Sequence, residues 1–187
     1  MNTSLAHSLA RSLAHATTAA LLAACADVTP LAPKRQLASS APLAARAAAE
    51  GNAAIATLRR ATARYHNLNA ALADGFVFLH GCETRPEEGP AGVVYVHMGR
   101  LTDGVIDPAT PDALLYEPSH NGSPKLVGVE LAVPYALWTG AEPPEFLGAT
   151  FQREEEFGVF GLHVWVWRNN PNGLFAESNP RITCGVQ

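Results

Sequence analysis

The sequence predicts an α+β domain in which one long N-terminal helix packs on a largely antiparallel β-sheet. Three observations carry this expectation. A single stretch, about 43–74, has sustained helical periodicity. From Phe76 onward the apolar pattern turns to period two. The period-two runs follow one another without the intervening helices that a parallel βαβ sheet needs. A length of 187 residues fits one domain.

Taken in order, the helix is marked by Ile55, Leu58, Thr62, Tyr65, Asn69 and Leu72 at spacings of three and four, with Ala61 and Leu68 beside them. Ser39 and Ser40 are capping residues, and Pro42 is tolerated in a first turn. Asp74-Gly75 supplies the stop. The stripe is mixed, so the helix is expected to pack on the sheet while lining something polar. Strands are expected at 76–81, 93–98, 113–117, 126–133 and 159–167. Asn121-Gly122-Ser123-Pro124 joins the third and fourth as a hairpin, and Thr102-Asp103-Gly104 and 169–173 are loops.

Ahead of this domain, expected at 46–187, lie two other segments. Residues 1–24 carry no acidic side chain and one basic one, Arg11, followed by a short run of small apolar residues. That order describes a secretory signal, and the run is too diluted by His15, Thr17 and Thr18 for a membrane-spanning helix. Its end, Leu22-Ala23-Ala24-Cys25, resembles the lipobox of bacterial lipoproteins. That resemblance implies that Cys25 becomes the lipidated first residue and holds the protein to a membrane surface. Residues 25–45, rich in Ala, Pro and Ser, read as a tether.

Composition excludes several classes. With Lys+Arg 13 against Asp+Glu 17, the net charge of −4 offers no basic surface to displace counterions, so no nucleic-acid partner is expected. A hydrophobic content of 48% is too high for a wholly disordered chain. With Cys25 lipidated, Cys82 and Cys184 remain. In an oxidising compartment they are expected to form one disulfide; two buried free thiols are the alternative.

Separating odd from even strand positions is the most informative step, because alternate side chains face opposite ways. Val94, Val96 and Met98 oppose Val93, Tyr95 and His97; Val127, Val129, Leu131 and Val133 oppose Leu126, Gly128, Glu130 and Ala132. Phe160, Leu162, Val164 and Val166 oppose His163, Trp165 and Trp167, while Phe76, Phe78 and His80 oppose Val77 and Leu79. Joining the aliphatic faces in one core puts His80, His97, Glu130 and His163 on a common second face with Tyr95, Trp165 and Trp167. His66, on the flank of the helical stripe, is placed to reach the same pocket. Imidazoles with one carboxylate suit Zn, Cu, Ni or non-haem Fe.

Each of these residues also has an ordinary reading. For any single histidine the commoner role is that of a hydrogen-bonded structural residue, and His120, beside Asn121-Gly122, reads as a solvated turn residue. Glu130 is paired with an arginine if exposed; if buried in its valine-rich strand, it must be paired, protonated or metal-bound. The tryptophans read equally as packing residues, and Arg153-Glu154-Glu155-Glu156 as a solvated loop. Neither His-Glu-x-x-His nor Gly-x-Ser-x-Gly is present.

At Tyr65-His66, Asp103-Gly104-Val105-Ile106-Asp107-Pro108, Leu114-Leu115-Tyr116-Glu117-Pro118, Leu126-Val127-Gly128-Val129-Glu130, Gly161-Leu162-His163-Val164-Trp165-Val166-Trp167 and Asn179-Pro180-Arg181-Ile182-Thr183-Cys184, the chain resembles a family of secreted bacterial proteins of unknown function. The likeness spans roughly residues 60–187. It implies His66, His97 and His163 as positions of interest and brings no activity with it. The leading expectation is an exported lipoprotein domain of the bacterial envelope. It would bind a small ligand or a transition metal in a pocket with His66, His97, Glu130 and His163 as metal ligands and Tyr95, Trp165 and Trp167 as walls. The alternatives are an enzyme acting on a small organic molecule, metal-dependent or with Glu130 as general base, and a structural or interaction module.

Overall fold

Leu58 and Thr62 go into the core from a helix, α1, spanning Leu43–Thr62. The computed structural model describes residues 43–85, 89–119 and 122–185. The leader, Cys25, nearly all of the tether and His120 lie outside them. The described residues form one compact unit.

The helix does not run on to residue 74. A single 3-10 turn, Ala63–His66, follows α1, and a short helix, α2, covers Leu68–Ala73. Both halves of the bond that would have joined them are engaged elsewhere. The Tyr65 carbonyl, which in a continuous helix would accept from the Asn69 amide, takes the Tyr116 hydroxyl at 2.6 Å. The Asn69 amide donates instead to the Asn67 side chain at 3.1 Å. The break resets the phase of burial: Ala71 is buried, while Asn69 and Leu72 of the expected stripe are exposed. Gly75, at φ 97°, ends α2 as expected, with Gly75 N bonded to Leu72 O and Phe76 N to Ala71 O, each at 3.1 Å.

The fold is α+β, and its antiparallel sheet dominates. The strands β1 (Val77–Arg85), β2 (Gly89–Val96), β3 (Ala113–Glu117) and β4 (Lys125–Pro134) follow as neighbours, and β3 and β4 are joined as the expected hairpin. A one-turn helix, α3 (Met98–Leu101), lies between β2 and β3. A small separate hairpin of β5 (Glu145–Phe146) and β6 (Ala149–Thr150) precedes β7 (Gln152–Glu154) and β8 (Val159–Val164). The six-stranded order is β1-β2-β3-β4-β8-β7.

Both faces of this sheet are packed, which corrects the single-core expectation. Leu58, Tyr65 and Phe76 cover Leu114, Tyr116, Val129, Leu131, Leu162 and Val164 on the helical face. On the other face Val94, Leu115, Val127 and Trp165 pack with Ile182 from the C-terminal segment. Register shows which side chains share a face, since Val96, Ala113, Glu130 and His163 are successive cross-strand partners, as are Tyr95, Leu114, Val129 and Val164.

Two bulges explain the other departures. Leu115 pairs with Gly128 but Tyr116 with Leu126, so Val127 is an extra residue that turns to the second face while Leu126 rejoins Val129. Likewise Phe78 pairs with Tyr95 but His80 with Val94, so the added residue moves His80 away from the face of Phe78. β2 also ends at Val96, and β8 at Val164, sooner than expected.

Cys82 and Cys184 form the expected disulfide, with a Cα–Cα distance of 5.2 Å and a sequence separation of 102. It ties the C-terminal segment to β1. No helix among the described residues is long and apolar enough to cross a membrane. Paired Cys82→Ser and Cys184→Ser substitutions should lower the unfolding free energy by about 4–5 kcal/mol, the chain-entropy value for a loop of this length. Urea unfolding of the two proteins checks this.

Candidate metal centre

Glu130 and His163 are direct cross-strand partners on β4 and β8, and their side chains leave the sheet on the same face. Glu130 is 6% and His163 5% exposed. The imidazole is oriented by its far nitrogen: His163 Nδ1 lies 2.7 Å from the Glu177 carbonyl oxygen. A carbonyl only accepts, so Nδ1 carries the proton and donates it. In the neutral ring Nε2 is then the bare nitrogen, and it lies 3.9 Å from Glu130 Oε2.

The third member comes from β7. Alternation along this short strand puts Arg153 over the Tyr135 and Phe160 rings, at 4.3 and 5.3 Å. Its neighbour Glu154 therefore falls on the opposite face, beside Glu130. Donor atoms of Glu130, Glu154 and His163 all lie within 4.8 Å of one another, and together they could hold a metal ion. Space for the two carboxylates comes from Gly161 on β8. A methyl carbon at that position would sit 2.7 Å from Glu130 Oε1 and closer still to Glu154.

The electrostatics follow from this crowding. Burial first, and then the charges of Glu154, Glu177 and Asp112, push the Glu130 carboxyl well above the usual carboxylate range. Asp112, whose Oδ2 accepts from the Ala132 amide at 2.8 Å, is likewise pushed up to about 7, chiefly by burial. Two carboxylates and an imidazole lone pair facing one another need a proton or a cation among them.

Of the residues grouped from sequence, Glu130 and His163 are brought together, and His80 borders the same hollow, stacked on Phe157 at 5.6 Å. Trp165 lies on this face as well, and the other four do not. His97 caps α3, its Nδ1 accepting from the Arg100 amide at 3.2 Å, and its ring meets Phe76. His66 packs edge-on against Trp167 at 4.4 Å, and Trp167 donates to the Thr62 hydroxyl. Tyr95 is on the helical face against Tyr116. Trp165 is buried beside His163 with its ring nitrogen donating to the Ala176 carbonyl, 2.6 Å away.

Glu154 was hidden by its surroundings in the sequence. Within three consecutive glutamates a two-residue strand period is invisible, and the available signal was only the apolar run after it that gives β7 a partner. The chain matches no family model, no curated protein and no solved structure. What the cluster does must therefore be argued from its own chemistry.

That chemistry has a consequence for stability without metal. The folded protein holds a proton on Asp112 up to about pH 7, whereas the unfolded chain releases it near 3.8. Between those values the folded state binds more protons, so stability falls as pH rises, by about 4 kcal/mol over the window. Asp112→Asn should remove this slope. Unfolding free energies of both proteins in chelator, from pH 4 to 8, should converge at the acid end and favour the variant at the alkaline end.

Proposed function

We propose that this protein is an exported, lipid-anchored domain that binds a divalent transition metal through Glu130, Glu154 and His163. The observation that carries the reading is the His163 ring, whose Nδ1 bond to the Glu177 carbonyl leaves Nε2 directed at the carboxylate pair. Metal-bound histidines are held in this way, with the remote N–H on a carbonyl or carboxylate that fixes tautomer and orientation. Two oxygens and one imidazole nitrogen suit Zn or Fe within the set that the sequence suggests, and Cu and Ni also accept imidazole. Three protein ligands leave coordination positions free for a water or a small ligand.

The export and anchoring part rests on the leader, on Cys25 and on the disulfide, which accords with an oxidising compartment. The likeness to secreted bacterial proteins belongs to the same proposal and names no reaction. An acid–base enzyme is the second reading, favoured by the closeness of the Glu130, Glu154 and His163 side chains and by the burial that pushes the Glu130 carboxyl above the usual range. An interaction module would draw on an exposed Trp165 and Trp167 strip, but Trp165 is buried and Trp167 half-buried.

Calorimetric titration of the chelator-treated full chain with Zn and Fe(II) tests the metal. One equivalent should bind, with affinity rising with pH as protons cease to compete. His163→Gln and Glu154→Gln should each weaken it by about a hundredfold or more. Absence of binding to the folded wild type sinks the reading. Gly161→Ala is a second probe: alanine suits a strand at least as well as glycine, so the fold should persist while the added methyl displaces the carboxylates and weakens the metal. Cys25→Ser should move the protein from the membrane to the soluble fraction of fractionated cells.

A further inference from the structure

Beside the carboxylate cluster, and sharing only part of its wall with it, lies a cavity of about 150 Å³. Its floor is made by Val96, Ala113 and Ala132 on three neighbouring strands. The cavity exists because the two alanines, each almost fully buried, stop at one methyl where larger side chains would fill the sheet surface. Met98 and Phe157 stand at its mouth, and Met98 is 51% exposed. Apolar side chains ringing an opening are left in water unless something enters it.

The polar side chains of the cavity are Asp112, Glu130 and Glu154, and Asp112 is 1% exposed. Its Oδ2 takes the Ala132 amide, and its Oδ1 is buried with no hydrogen-bond partner among the described residues. A buried carboxylate oxygen without a donor is costly, and a ligand carrying a donor would remove that cost. The size of the ligand is also set, because a cavity of about 150 Å³ holds one benzene molecule.

We propose that this cavity binds a small primary amine with a body about the size of one six-membered ring, its ammonium donating to Asp112 Oδ1 and its ring lying on Ala113 and Ala132. An ammonium fits better than a hydroxyl because it brings three donors and a positive charge to a wall that carries three acidic side chains, Asp112 with Glu130 and Glu154 beside it. The ligand uses Asp112 and the alanine floor, not His163 or the bound cation. The inference therefore needs no metal in the cluster.

The two methionines, Met1 and Met98, give a direct readout. With methionine methyl groups isotopically labelled in the full chain, benzylamine should shift the Met98 signal saturably and leave Met1 unmoved. Benzyl alcohol should bind about tenfold more weakly, the difference expected for a charge-assisted bond. Asp112→Asn should abolish that preference. Ala132→Leu should abolish binding of both probes while zinc binding persists, and His163→Gln should do the reverse. Nuclear Overhauser contacts from the benzylamine ring to the Ala113 and Ala132 methyls of the wild type give the same answer without any substitution. No Met98 shift, equal affinity for the alcohol, or absence of those contacts overturns the proposal. Loss of zinc binding with benzylamine binding intact overturns only the metal reading.

Discussion

The pairing of β4 with β8 sets the register that the rest of the molecule inherits. It makes Glu130 the partner of His163 and Val129 the partner of Val164, so acid and imidazole share one face while aliphatic side chains share the other. A slip by one residue would drive Glu130 into the packing beneath Leu58 and Phe76, where nothing answers a carboxylate. The register is thus enforced by two penalties at once: loss of aliphatic burial and an unanswered buried charge.

Because both faces of the sheet are covered, the polar groups sit inside the protein. On the helical face the Tyr116 hydroxyl reaches the Tyr65 carbonyl, and the same contact that breaks the helix ties it to the sheet. On the other face the C-terminal segment is held backbone to sheet, with Asn179 N on the Pro90 carbonyl at 2.8 Å and the Trp165 amide on the Leu174 carbonyl at 2.9 Å. This segment also carries Glu177, whose carbonyl orients His163. Covering the second face and aiming the imidazole are tasks of one stretch of chain.

Several features were legible in the sequence because they depend on local chemistry. The stop at Asp74-Gly75 and the hairpin around residues 117–125 are of this kind, and the Cys82–Cys184 pairing followed from elimination. The helix break was not legible, since Tyr116 is about fifty residues away in the chain and its hydroxyl carries no local signature. Face assignments held along unbroken stretches of strand and failed across bulges. The added residues near Leu79 and Val127 invert alternation, and no residue type announces a bulge. Taking aliphatic faces as one core failed for a simpler reason: Val94 and Val96 are as aliphatic as Val129 and Leu131 yet belong to a different core. Glu130 and His163 stood out in the sequence because polar side chains are rare in such strands, whereas Glu154 was camouflaged by its glutamate neighbours.

Gly161 shows how a site can depend on what a residue lacks. Strand geometry disfavours glycine, and a valine or threonine would suit β8 better locally. The position therefore sets local preference against the needs of the whole, a point of frustration in a sheet that is otherwise self-consistent. Such a conflict persists where something else draws benefit from it, and here the beneficiary is the volume occupied by two carboxylates. All the other amino acids bring a Cβ, so none of them is a conservative replacement. The strand gives up a little of its own stability at this point to leave room for negative charge.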